Sequence, residues 1–151
     1  MFGTKYDTSN NFYIRKATKK DVDKIMNMFE SLNTNEQKFL AYNQKKTTIR
    51  QIIRSGRHCF VAILDNTIVG FIRESGRPNN FSLLEECVVH PDYRNKHIAK
   101  KLLKYYHNIF NKNLAKSHAK NYKMNKLLTS FGYKIENPDG KKILYWIRES
   151  D

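Results

Sequence analysis

The stretch from Leu83 to Leu103, LLEECVVHPDYRNKHIAKKLL, holds the densest set of chemically useful residues in the chain. Two adjacent carboxylates, Glu85 and Glu86, interrupt an apolar run through Cys87, Val88 and Val89. His90-Pro91 turns the chain, Arg94 follows, and from His97 an amphipathic pattern begins with Lys96, Lys100, Lys101 and Lys104 around it. A helix start offers unpaired backbone N–H groups and a positive dipole end, so this layout suits an anionic ligand, with a diphosphate the natural candidate. A carboxylate in a mostly apolar central strand is desolvated, which raises its proton affinity toward that of a general base. Strand alternation predicts that Glu85 and Glu86 point to opposite faces, so that one of them faces a cleft. The other reading of either residue is a structural ion pair with a nearby Lys or Arg.

A chain of 151 residues with 40% hydrophobic content can bury one core without metal or disulfide support. The polar residues 1–11 read as a loose N-terminal arm, and residues 12–151 as a single domain. No run approaches the ~20 apolar residues of a membrane span, and the first residues lack the apolar stretch of a secretory signal. The expectation is a soluble cytoplasmic protein with no membrane partner. Cys59 and Cys87 read as two reduced, buried thiols. The net charge of +14 comes from 28 Lys+Arg against 14 Asp+Glu. A field of that size attracts polyanions, whether nucleic acid, an acidic partner or a phosphate-rich cofactor. Solvated lysines spread over the surface would give the same charge, and no nucleic-acid-binding motif accompanies it.

The elements that must position these residues follow from periodicity. Residues 12–17 read as a strand, and Thr18 with Asp21 as the cap of a helix striped by Val22, Ile25, Met26 and Phe29. Residues 33–46 suggest a short helix or a loop over a cleft. Thr47 can cap a helix through Ile49, Ile52 and Ile53 that ends at Gly56. Residues 58–64 and 67–73 read as a hairpin about Asp65-Asn66, 74–80 as a loop, and 81–89 as a long central strand. Residues 97–110 read as a helix, 114–119 as a weak strand and 121–131 as a helix closed by Gly132. A final strand pair, 133–136 and 141–148, surrounds Pro138-Asp139-Gly140. The order β-α-α-β-β-β-α-β-α-β-β predicts an α/β (α+β) fold, a mixed sheet with helices against it.

Four segments in this order resemble the GNAT superfamily of acyl-CoA N-acyltransferases. They are IRKATKKDVDKI (14–25), TIVGFI (67–72), VVHPDYRNKHIAKKLL (88–103) and NYKMNKLLTSFGY (121–133). The third resembles the family's cofactor motif, R/Q-x-x-G-x-G/A, over Arg94, Asn95, Lys96, His97, Ile98 and Ala99. The resemblance implies the GNAT fold: a mixed, mostly antiparallel sheet of six to seven strands, splayed between the fourth and fifth and flanked by about four helices. It also implies acetyl-CoA as cofactor. Its diphosphate would be held by residues 94–99 with Lys100 nearby, and its pantetheine arm by the backbone of Cys87, Val88 and Val89. Asn121 would bind near that arm or cap its helix.

The implied reaction is transfer of an acetyl group to an amine acceptor, small or macromolecular, by direct attack in a ternary complex. Glu85 stands where the family's strand carries a base, with Glu86 beside it. Two positions depart from the pattern. His97 replaces the central glycine, and Leu128 stands where many members place a tyrosine acid, leaving Tyr133, Tyr122 or a water to serve. These departures and the charge keep two further readings open: a GNAT-fold enzyme acting on nucleic acid (DNA base modification or aminoacyl-tRNA acylation), and a catalytically impaired binding protein. Lys38, Lys45, Lys46, Arg73 and Arg77 near the expected acceptor cleft favour an acidic or phosphate-bearing acceptor. The resemblance also makes a homodimer through edge strands an expectation. No cluster of metal ligands is expected.

Overall fold

Strand alternation and helical stripes sort the chain into two apolar layers on either side of one sheet. The computed structural model describes residues 11–38, 46–54, 58–137 and 142–149. The strands are β1 (Phe12–Lys16), β2 (Cys59–Leu64), β3 (Thr67–Gly76), β4 (Ser82–Val89), β5 (Lys112–His118), β6 (Lys134–Ile135) and β7 (Ile143–Glu149). The helices are α1 (Val22–Glu30), α2 (Thr34–Lys38), α3 (Lys46–Arg54), α4 (Ile98–Ile109) and α5 (Tyr122–Ser130). The seven strands lie in the order β1-β2-β3-β4-β5-β7-β6, antiparallel throughout except for the parallel pair β4–β5. This is the mixed sheet expected. The proposed arm, residues 1–10 of it, and the turns at Gly56 and Pro138–Gly140 lie outside the described residues.

One core cluster joins Val22, Ile25, Met28 and Phe29 of α1 and Ile49 of α3 to Val61, Phe71 and Val88 of the sheet. The other joins Ile98, Leu102, Leu103 and Tyr106 of α4 and Leu128 of α5 to Ala62, Ile72, Leu84, Ala115 and Trp146. Thr18 and Asp21 form the expected capping box ahead of α1, and the same Asp21 carboxylate takes Arg15 at 2.8 Å. Gly70 is needed for contact. A Cβ there would meet Leu102 Cδ1 at 2.8 Å and Ile98 Cγ2 at 3.1 Å. The glycine lets α4 lie close on β3 and so fixes where its first turn ends up.

The ends of β3 and β5 differ from the sequence expectation, and α3 takes in Thr47, its expected cap. β3 runs to Gly76, through part of the expected loop, because Glu74 is buried and accepts hydrogen bonds from Ser82 Oγ and Arg77 Nε. β5 starts at Lys112, two residues early, held by its full pairing with β7. Residues 34–38 form a short helix, capped reciprocally by Asn33 and Glu36.

His107 of α4 is buried with Nε2 2.7 Å from the Tyr133 hydroxyl. Burial, and next the nearby Arg148, push its pKa from 6.5 down to about 4. The folded protein therefore binds fewer protons than the unfolded chain between these values. Stability present above pH 6.5 is lost as pH falls toward about 4. Denaturant midpoints measured across that window should fall with pH, and His107→Gln should flatten the slope. An unchanged slope in the variant would assign the acid sensitivity elsewhere.

Candidate active site

β4 and β5 pair only at Ser82–Asn113, Leu83–Leu114 and Leu84–Ala115. Beyond that point β5 continues against β7, from Lys116–Tyr145 to His118–Ile143, while β4 continues against β3. The two strands part, and the backbone of β4 from Glu85 onward is left open toward the gap. A cavity of about 480 Å³ occupies this fork. β4 lines it from Leu84 to Val89; Arg94, Asn95 and the run His97–Lys100 line it at the start of α4; Asn121, Met124 and Leu128 line it from α5. Of the catalytic and cofactor-binding residues expected from the sequence, Glu85–Val89, Arg94–Lys100 and Asn121, the cavity gathers all but Lys96, which is exposed and not part of the lining.

A β-bulge decides the orientation of the two carboxylates. Arg73 pairs with Glu86 and Glu74 with Leu84, so Glu85 is an extra residue in β4. The bulge resets alternation: Leu84 joins the α4-side core and Val88 the α1-side core, although they are four residues apart. The expected opposition of Glu85 and Glu86 therefore fails. Glu86 meets Arg73, a partner on the α1 side of β3, with Nε donating to Oε1 at 2.6 Å. Glu85 Oε1 lies 4.0 Å from Lys116 Nζ, on the side of β5 opposite Ser117 and α5. Both residues line the same cavity but the surroundings of their carboxylates differ. The Glu86 and Arg73 side chains are 2% and 0% exposed, a buried ion pair; Arg73 is thus not the open cleft charge the sequence suggested. The Glu85 side chain is 5% exposed, and its Oε2 is buried with no hydrogen-bond partner.

The start of α4 leaves its backbone donors uncapped. His97 is its N-cap residue and makes no capping bond, and the first turn holds no acidic residue. The N–H groups of Ile98, Ala99 and Lys100 are the orphan donors of the helix, at its positive dipole end. His97 replaces the family's glycine in the glycine-like conformation itself, φ 60° and ψ 26°, and its ring is exposed. A side chain in that left-handed region costs about 1–2 kcal/mol, while glycine forfeits about 0.5–1 kcal/mol of chain entropy on folding. We expect His97→Gly to raise stability by about 0.5–1 kcal/mol in thermal or urea unfolding; a loss of stability would mean that the ring makes a favourable contact.

Arg94 does not hang free in the cavity. Its Nη2 donates to the Val89 carbonyl at 3.1 Å, and its Nη1 donates to the Glu36 carboxylate. The motif arginine thus ties the end of β4 to α2. Burial would raise the Glu36 carboxyl, but Arg94 and the Asn33 N–H hold it below its ordinary range. Asn121 lies at the start of α5. It caps α5 by accepting from Met124 N–H at 3.4 Å, and it lines the cavity. Burial pushes the Cys87 thiol up to about 12, which keeps it protonated and inert.

The acid candidates do not reach the site. Tyr133 is turned to His107 and Tyr122 is 75% exposed; neither lines the cavity, and Leu128 occupies the wall without a phenol. Ser117 of β5 supplies a hydroxyl that sequence reading missed. Asn125 spends its amide donors on the carbonyls of His118 and Ala119, so its Oδ1 takes the Ser117 proton at 2.5 Å. Trp146 Nε1 donates to the same Ser117 Oγ at 2.8 Å. What Ser117 offers the cavity is a lone pair, suited to an N–H of a ligand. Alternation along a weak, polar strand could have flagged Ser117, and the Asn33-x-x-Glu36 spacing could have placed Glu36.

The profile of the acetyltransferase (GNAT) domain matches residues 55–135, more than half of the chain. The chain belongs to the GNAT acetyltransferase family. Among solved structures, it is similar to the PaiA N-acetyltransferase of Thermoplasma acidophilum in complex with coenzyme A. That likeness has a TM-score of 0.78 and 20% identity, covering 93% of this chain and 99% of that one. A GNAT-family acetyltransferase of Bacillus cereus is similar at TM-score 0.70 and 22% identity, covering 93% and 99%. The ribosomal-protein-S18-alanine N-acetyltransferase of Escherichia coli is similar at TM-score 0.73 and 13% identity, covering 93% and 96%. At these identities the structures speak for the GNAT fold. No curated protein matches the chain in sequence. Among the described residues no helix is long and apolar enough to cross a membrane, and none cluster as metal ligands.

Proposed function

We propose that this GNAT chain binds acetyl-CoA in the β4–β5 fork and transfers the acetyl group to an amine that enters beside Glu85. The observation that carries this is one cavity joining three features: the uncapped start of α4, the open edge of β4, and Glu85 in its wall. The residues present fit the cofactor. The N–H groups of Ile98–Lys100 would hold the diphosphate, Lys100 and Lys123 would add cationic attraction, and the β4 backbone at Cys87–Val89 would pair with the pantetheine amides. Ser117 would accept one ligand N–H. When bound, acetyl-CoA supplies the acetyl group as a thioester.

The chain's own part is proton handling and orientation. The Glu85 carboxylate accepts a proton from the incoming ammonium, freeing a lone pair on nitrogen. Glu86 does not compete for that role, because Arg73 holds it as a carboxylate partner. The backbone N–H groups of the open β4 edge provide the donors for the carbonyl oxygen of the reacting group. No side chain is assigned to protonate the leaving thiolate.

Calorimetric titration with coenzyme A tests this reading directly. Micromolar binding that Glu85→Gln leaves intact, with acetyl transfer to amines lowered about 10²–10⁴-fold in the same variant, is the expected result. Absence of binding at millimolar coenzyme A would sink it. The charge of +14 supports a second reading of the acceptor, an amine carried on nucleic acid or on a protein bound to it. Retention on RNA or DNA with a steep salt slope would favour that acceptor.

A further inference from the structure

We infer that Lys116 is itself an acceptor, so that the chain acetylates its own Lys116 ε-amine when no other amine is present. The inference rests on the function proposed above and adds an acceptor to it. Leu84 and Ala115 are the last residues at which β4 and β5 pair. Glu85 and Lys116 are the next residue on each strand, so they face each other across the point where the fork opens. Lys116 Nζ lies 4.0 Å from Glu85 Oε1, and both side chains line the cavity. The lysine side chain is 43% exposed, while the carboxylate is 5% exposed. Any amine that Glu85 deprotonates must come within hydrogen-bond reach of it, and this amine needs to move by only about 1 Å to do so.

The step balances without a further reagent. The Lys116 ammonium gives one proton to Glu85. The Nζ lone pair then forms a C–N bond to the thioester carbonyl carbon. The C–S bond breaks with its electron pair on sulfur, and the second proton lost from nitrogen leaves with the sulfur as the thiol. The products are an amide on Lys116 and coenzyme A. Lys100 and Lys123 line the same cavity from the first turns of α4 and α5, and they serve as internal controls.

The test incubates the full chain with acetyl-CoA and no added amine, then maps acetyl groups by peptide mass. Acetylation concentrated on Lys116, with a first-order rate independent of protein concentration, is the expected result. Glu85→Gln should slow it about 100-fold or more, and Lys116→Arg should abolish it. Calorimetry of coenzyme A runs in parallel and is independent of turnover. Lys116→Gln should leave that affinity within about twofold, since Lys116 sits at the fork rather than at the helix start. Intact coenzyme A binding with Lys116 modified no faster than Lys100 and Lys123 would overturn the inference and leave the proposed function standing. A rate that scales with protein concentration, or one unchanged in Glu85→Gln, would overturn it too. Failure to bind coenzyme A at all would remove both.

Discussion

Arg73→Leu is expected to lower the unfolding free energy by about 3–5 kcal/mol, the range found when one partner of a buried ion pair is deleted. The guanidinium is fully enclosed, and its Nε donates to Glu86 at 2.6 Å. Leucine would leave the Glu86 carboxylate buried without its cation. Against a typical stability of about 5–15 kcal/mol, that loss brings the variant close to unfolding. Urea denaturation at neutral pH is the measurement. The double variant Arg73→Leu/Glu86→Leu should recover most of the loss, because a buried pair replaced by apolar side chains of similar volume is near neutral. A single variant that loses less than about 1 kcal/mol would show that the pair is not desolvated. The outcome bears on the site as well, since this pair flanks the bulge that turns Glu85 into the cavity.

Ala99→Glu is expected to separate binding from stability. Ala99 lies in the first turn of α4 and lines the cavity where the diphosphate would rest. A carboxylate there fills the hollow and repels the ligand's charge. Coenzyme A affinity should fall about 100-fold or more, a change of at least about 2.7 kcal/mol. The same carboxylate complements the helix dipole, so thermal stability should hold or rise by about 0.3–1 kcal/mol. Calorimetry and a melting curve on one sample decide the matter. Unchanged affinity would move the anion away from the start of α4.

Most of the framework could be read along the chain because it rests on local rules. Apolar runs bounded by turn residues marked β2 to β4, of which β2 and β3 are buried on both faces, and helical spacing marked α1, α4 and α5, where burial of one face imposes the period. The motif from Arg94 to Ala99 could be placed at a helix start for a similar reason, since the stripe of α4 begins beside it. Lys96 shows the limit. Its type suited the site, yet its place in the turn sends the side chain to solvent. β3 and β5 shifted at their ends because Glu74 and the β7 register, both non-local, decide where pairing stops.

Read along the chain, the residues gave the order of most elements, a basic turn at the start of a helix and two carboxylates on the strand before it. Those follow from neighbours within a few residues. Only the tertiary structure decided that Glu86 belongs to Arg73 and that Glu85 is the one left with a bare oxygen. It alone brought Lys116, Ser117 and Glu36 into the same cavity. The reason is that a single bulge, set by how β3 and β4 pair across a gap of many residues, overrides the alternation any linear reading must assume.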